Sequence, residues 1–215
     1  MLEVLRGLLR ARTAVPLPGD DRPDASAPDA GALLAALAGA GRRVGKATLA
    51  LDESETRRLQ GAGAHWPIAT RLDELWRIAV LVAAAARLDG ERLVADAYRG
   101  GDSDERCAVL RALPLLPAPE RFTALAADAC RSHVRPIFEA LACENPFPAR
   151  HLSTLHFNQM ILKALFLDVP LMRVLGLDAR RSDELGRMAR DYAAERRAAG
   201  RPVSADLAAL AGEGA

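Results

Sequence analysis

Lysine is almost missing from this chain: Lys46 and Lys163 are the only two among 29 basic residues, the rest being arginine. With 28 acidic residues opposing them the formal net charge is +1, so no positive field exists to hold nucleic acid by counterion release, and no acidic field to attract a cationic partner. Cysteine is scarce too. Cys107, Cys130 and Cys143 are odd in number and lack C-x-x-C spacing, which argues against a disulfide framework or a thiolate zinc site and for a reducing compartment. Aromatic residues amount to 4%, and neither they nor β-branched residues alternate with polar ones, so strand signals are absent. The longest apolar run, Ile78 to Ala86 between Arg77 and Arg87, falls far short of the roughly 20 residues of a membrane helix. The early charges of Met1-Leu2-Glu3-Val4-Leu5-Arg6 do not read as a signal peptide. A cytoplasmic protein with no membrane insertion is expected.

What remains is helix-forming material. Half of the residues are apolar, with Leu, Ala and Arg throughout, and apolar positions recur at helical period: Leu2, Leu5, Leu8 and Leu9; Leu33, Leu34 and Leu37; Leu72, Leu75, Ile78, Ala79, Val82 and Ala85. Helices are predicted near 71–88, 90–99, 103–113, 118–131, 134–143, 153–166 and 183–199. Asp52 with Glu55 and Asp102 with Glu105 have capping-box spacing, and Thr70, Ser153, Ser182 and Ser204 are N-cap candidates. Gly100-Gly101, Gly176 and Gly200 stand where helices should end. The fold class is all-α, built of stacked antiparallel helix pairs as a short α-solenoid or as a compact helical bundle. Residues 1–28 read as an N-terminal helix followed by a flexible linker rich in Pro and Asp, poorly packed over 13–28, and 29–215 as a single helical domain.

Two motif-like features argue for little. Ala40-Gly41-Arg42-Arg43-Val44-Gly45-Lys46-Ala47 imitates a phosphate loop, but no strand leads into it and Ala47 stands where a magnesium-binding hydroxyl belongs. His151 and His156 are five residues apart, with no carboxylate at i+3 or i+4 to complete a ligand set, so no metal site is indicated. No cofactor is indicated either. On the C-terminal helix, Arg187, Asp191 and Glu195 are read as exposed ion pairing.

The segment from Cys143 to Phe166 is the richest in side chains that could do chemistry. A double-proline turn, Asn145-Pro146-Phe147-Pro148, leads to Arg150 and then to a helix carrying His156, Asn158, Gln159 and Lys163. Unwrapped, that helix places Asn158 in an apolar stripe with Leu155, Ile161, Leu162 and Leu165, and lines an adjoining edge with His156, Gln159 and Lys163. Asn158 is expected to be partly buried and to satisfy backbone groups freed by the proline turn. Alternatively, Asn145, Arg150, Asn158, Gln159 and Lys163 bind a polar or anionic small molecule, with His156 as the one candidate acid or base. Arg150 and Lys163 are expected to face a common polar cavity, offset by an anion or by Glu139 or Glu144.

From Asp102 to Leu207 the chain resembles the EboA-domain family. The resemblance is carried by Leu113-Pro114-Leu115-Leu116-Pro117, Phe138-Glu139-Ala140, Asn145-Pro146-Phe147-Pro148-Ala149, Asn158 through Phe166, Gly176-Leu177-Asp178, and Asp191-Tyr192-Ala193 through Glu195-Arg196 to Ala199-Gly200-Arg201. Phe147, Phe157, Ala194 and Arg197 depart from it, standing where Tyr, Trp, His and Trp are expected. The resemblance implies a bacterial helical protein encoded beside enzymes that make or export a secondary metabolite, and it implies no reaction for the helical member itself. Three roles follow: a non-catalytic accessory or scaffold protein holding a pathway enzyme or intermediate, an enzyme acting on a polar cyclitol- or sugar-like intermediate, or a purely structural oligomer. The first is preferred, with other pathway proteins or a polar small molecule as partners.

Overall fold

Acidic and hydroxyl side chains set most helix starts. Asp52 and Asp102 accept from the backbone N–H of Glu55 and Glu105, whose carboxylates bond back to the cap amides. Ser153, Ser182 and Ser204 cap in the same sense. Thr70 does not: the cap position is Arg71, and Glu74 reaches back to accept from both the Thr70 amide and hydroxyl, at 2.6 and 3.0 Å.

The result is all-α. A computed structural model describes residues 1–20, 29–86 and 89–213, and these contain twelve α-helices and no strand. They divide into two compact units, Met1–Leu141 and Ala142–Ala215.

In the first unit the helices are α1 (Leu2–Arg10), α2 (Ala30–Val44), α3 (Glu53–Gly61), α4 (Leu72–Ala85), α5 (Gly90–Gly100), α6 (Ser103–Ala112), α7 (Thr123–Ala129) and α8 (Arg135–Ala142), the last ending at the boundary. Helix α4 is apolar on nearly every side because α1, α2, α5 and α6 all pack on it. Its Leu75, Ile78, Ala79 and Leu81 are fully enclosed. This is a bundle arrangement around one central helix. Helix α1 belongs to it: Leu5, Leu8 and Leu9 are buried, and Arg12 bonds Glu55 through both terminal nitrogens at 2.6 and 2.7 Å. Within the described part of the stretch read as a linker, Leu17 is buried. Residues 21–28 of that stretch lie outside the described residues. Helix α2 ends at Val44, inside the phosphate-loop look-alike, and Lys46 just beyond it pairs with Asp104 at 2.7 Å.

The second unit holds α9 (Phe147–His151), α10 (Thr154–Phe166), α11 (Asp183–Ala198) and α12 (Ala205–Ala211). The double-proline turn itself forms α9, with Pro148 in the first turn, where a missing N–H costs nothing. Helix α11 packs on α12 and α10. Its Arg187 pairs with Glu184 and Asp191 on the exposed face, as expected of a solvated helix.

Candidate functional site

The sequence places its candidates in the second unit, where a dense set of local contacts holds the corner between α9 and α10. Asn145 is buried and its Oδ1 accepts the Phe147 amide at 3.0 Å, so the turn satisfies its own backbone. Glu144 sits at φ 47, a left-handed conformation uncommon outside glycine. It is fixed by Arg173, whose guanidinium bonds its carboxylate at 2.8 and 3.0 Å while the Glu144 amide donates to the Arg173 carbonyl at 2.8 Å. Arg180 donates to the carbonyls of Ala149 and Leu152 at 2.7 and 3.0 Å, closing the exposed end of α9, and its guanidinium lies 4.8 Å from the centre of the Phe157 ring. Gly176 has φ 76, and a Cβ there would stand 2.6 Å from that of Ala149.

Helix α10 is rotated relative to its expected face. Leu155 is 59% exposed, whereas Phe157 and Met160 are enclosed with Asn158, Ile161, Ala164 and Leu165. The two bulky side chains Phe157 and Met160 win the interior because the neighbouring Ser153 cap and Arg180 orient the first turn. Leu155 and Phe166 instead share an outer edge, the latter 64% exposed. Asn158 is more deeply buried than expected, at 1% exposure, and its Oδ1 accepts no hydrogen bond. It does not cap the proline turn, because Asn145 has already done so. Gln159 and Arg150 are exposed, and His156 and Lys163 are half-buried. Glu144 is committed to Arg173 and Glu139 pairs with Arg135 at 2.6 Å. A groove of about 530 Å³ in this unit is lined instead by residues such as Leu171, Val174 and Leu177.

The first unit contains a charged cleft that sequence reasoning missed. Helix α4 carries Asp73, Glu74 and Arg77 into the core, at 0, 6 and 3% exposure. Arg77 donates to Asp73 at 2.6 Å and to the Leu37 carbonyl at 3.0 Å. Arg71 grips Asp73 through Nε and Nη2, at 2.9 and 3.0 Å, and reaches Asp104 at 3.0 Å. Arg111 of α6 lies 3.0 Å from Glu74. Arg71, Glu74, Asp104, Cys107, Arg111, Arg135 and Glu139 line a cleft of about 310 Å³ between α4, α6 and α8. The signal was the Asp73–Arg77 spacing on a helix otherwise apolar all round, since such a helix must bury whatever charges it carries.

Electrostatics fixes the protonation of these groups. Burial would raise the Asp73 and Asp104 pKa values, but hydrogen bonds from Arg71 with Arg77, and from Lys46 with Arg71, outweigh it, so both carboxyls titrate below their ordinary range. Burial, aided by the Glu74 charge, pushes the Cys107 thiol up to about 11. At neutral pH the cleft thus presents carboxylates, guanidiniums and a neutral thiol. Among the described residues, no group of three or more His, Cys, Asp or Glu could hold a metal ion, and no helix is long and apolar enough to cross a membrane.

No curated protein and no solved structure matches this chain significantly. A family model described as the metabolite traffic protein EboA matches residues 24–212, most of the chain, and the chain accordingly belongs to the EboA family.

Proposed function

We propose that this protein is a non-catalytic accessory component of metabolite handling, which binds a polar pathway intermediate and a pathway protein without transforming either. The observation that carries this reading is the charged cleft of the first unit, where Arg71, Glu74, Asp104 and Arg111 meet around Cys107. A general acid or base works best with a pKa near ambient pH, whereas Asp73 and Asp104 are held ionised and Cys107 is held protonated. Such groups are suited to orienting and neutralising a ligand. The family description, metabolite traffic, agrees with carrying rather than converting.

Helix α10 supports the protein-binding half. Leu155 and Phe166 lie eleven residues apart, about three turns, and so share one outer edge at 59% and 64% exposure. Arg150, Gln159 and Lys163 remain the proposed small-molecule contacts of the second unit, whereas Asn145 and Asn158 are enclosed. The test is capture from the native host, followed by mass spectrometry of both the proteins and the small molecules recovered. Incubation of the recovered metabolite with the purified chain should return it unchanged. Conversion to a new product would overturn the non-catalytic reading.

A further inference from the structure

At the Glu74–Arg111 pair a largely buried guanidinium is neutralised but not hydrogen-bonded. Arg111 is 13% exposed and its Nε stands 3.0 Å from Glu74 Oε1, yet the approach is too far off line for that buried N–H to donate. Among the described residues, Arg111 donates no hydrogen bond. A guanidinium carries five N–H donors in a planar fork, and buried donors in native proteins are nearly always satisfied. Its neighbours show how a purely structural arginine behaves in this fold. Arg77, 3% exposed, spends its donors on Asp73 and the Leu37 carbonyl, and Arg180 spends both terminal nitrogens on carbonyls.

Two further observations lie in the same cleft. Arg71 engages Asp73 and Asp104 through Nε and Nη2, leaving Nη1 without a partner among the described residues. Asp104 receives Lys46 and Arg71 both on Oδ2, leaving Oδ1 without one. The linked charges beside Arg111 are also one anion short: Lys46, Arg71 and Arg77 share Asp73 and Asp104, while Arg111 and Glu74 offset one another. Four cations thus meet three carboxylates.

We infer that the cleft between α4, α6 and α8 binds a small oxyanion, a carboxylate or a phosphate monoester, that also carries a hydroxyl. The oxyanion takes the terminal nitrogens of Arg111 with Nη1 of Arg71 and supplies the missing negative charge, while the hydroxyl donates to Asp104 Oδ1. Glu74 acts as a positioning residue: its Oε2 is held by Thr70 and its Oε1 keeps the guanidinium of Arg111 in place. The volume, about 310 Å³, is at the small end of ligand cavities and suits a metabolite of a few carbons. This inference rests on the binding role proposed above and gives it a ligand class.

The experiment is calorimetric titration of the full chain with three matched three-carbon probes: glycerol 3-phosphate, glycerate and glycerol. One or both charged probes should bind and glycerol should not, the stronger of the two identifying phosphate or carboxylate as the favoured oxyanion. Arg111→Lys keeps a cation for Glu74 while losing the planar fork, and should weaken binding on the order of tenfold or more with its melting temperature close to wild type. Should that variant fail to fold, perturbation of the Arg111 side-chain NMR signals by the bound probe decides instead. Equal binding of glycerol, or of none of the three, overturns the inference. Binding that survives Arg111→Lys and is lost in Lys163→Met also overturns it, by moving the site to α10 while leaving the accessory role intact.

Discussion

Helices α4 and α10 are both interior helices that carry polar groups into an apolar environment, and they treat those groups in opposite ways. On α4 the buried Asp73 and Arg77 neutralise one another one turn apart, and each finds a further partner. On α10 the buried Asn158 keeps an oxygen with no donor. A buried pair of charges is costly to break whatever it costs to form, because removing one member strands the other in a medium of low polarity. An unpaired amide is the reverse, costing something to keep and little to remove. Ligand chemistry is placed instead where an unbonded group lines an open cleft, at the Arg111 guanidinium of α6 beside α4.

The sharpest way to break this contrast is Asp73→Ala. It leaves Arg77 enclosed without its carboxylate, and a loss of about 3–5 kcal/mol is expected in denaturant unfolding. A loss below about 1 kcal/mol, on the scale of exposed pairs, would mean that the Asp73–Arg77 pair does not behave as a buried one. Next comes Leu5→Ala, expected to cost about 2–5 kcal/mol because the side chain is fully buried. Stability unchanged by that substitution would show α1 to be an appendage to the first unit instead of part of its core.

Acid sharpens the contrast without mutation. The Asp73 and Asp104 pKa values are lower in the folded protein, so their contribution is fully present above the unfolded carboxyl value of about 3.9 and is lost as pH falls through the folded values. Unfolding free energy contributed by these two groups should therefore stay level from pH 8 to about 5 and decline below about pH 4. The decline should be smaller in Asp73→Ala. Identical acid profiles would remove Asp73 from the explanation.

Asn158→Leu should leave stability unchanged or raise it by up to about 2 kcal/mol, since it removes an acceptor that has no donor. A loss of more than about 1 kcal/mol would show that the amide is satisfied after all. The smallest effect is expected from Lys46→Ala. Its ion pair with Asp104 is more than half exposed on the lysine side, and such pairs contribute about 0–1 kcal/mol.

Helix existence and class were legible because caps and apolar period agree. Asp52, Asp102, Ser153, Ser182 and Ser204 each start a helix where the sequence says they should. The rotation of α10 was not legible, since Leu155 and Phe157 are equally apolar and the choice between them is made by Arg180, 23 residues downstream, which stacks on Phe157. The five-residue α9 was hidden by its prolines. The charged cleft was hidden for a different reason: Asp73, Glu74 and Arg77 resemble the solvated side of an amphipathic helix until one sees that α4 has no solvated side. Arg111, read from the sequence, is one arginine among many, and only tertiary placement shows its donors unused.

Native mass spectrometry of the chain isolated from its own host, beside the Arg111→Lys variant isolated in the same way, tests the central claim most directly. Wild type should carry a small anionic adduct that the variant loses, and the released compound should be recovered unaltered after renewed incubation with the protein. The same adduct on both chains, or bare masses for both, would contradict a binding role for the α4–α6–α8 cleft.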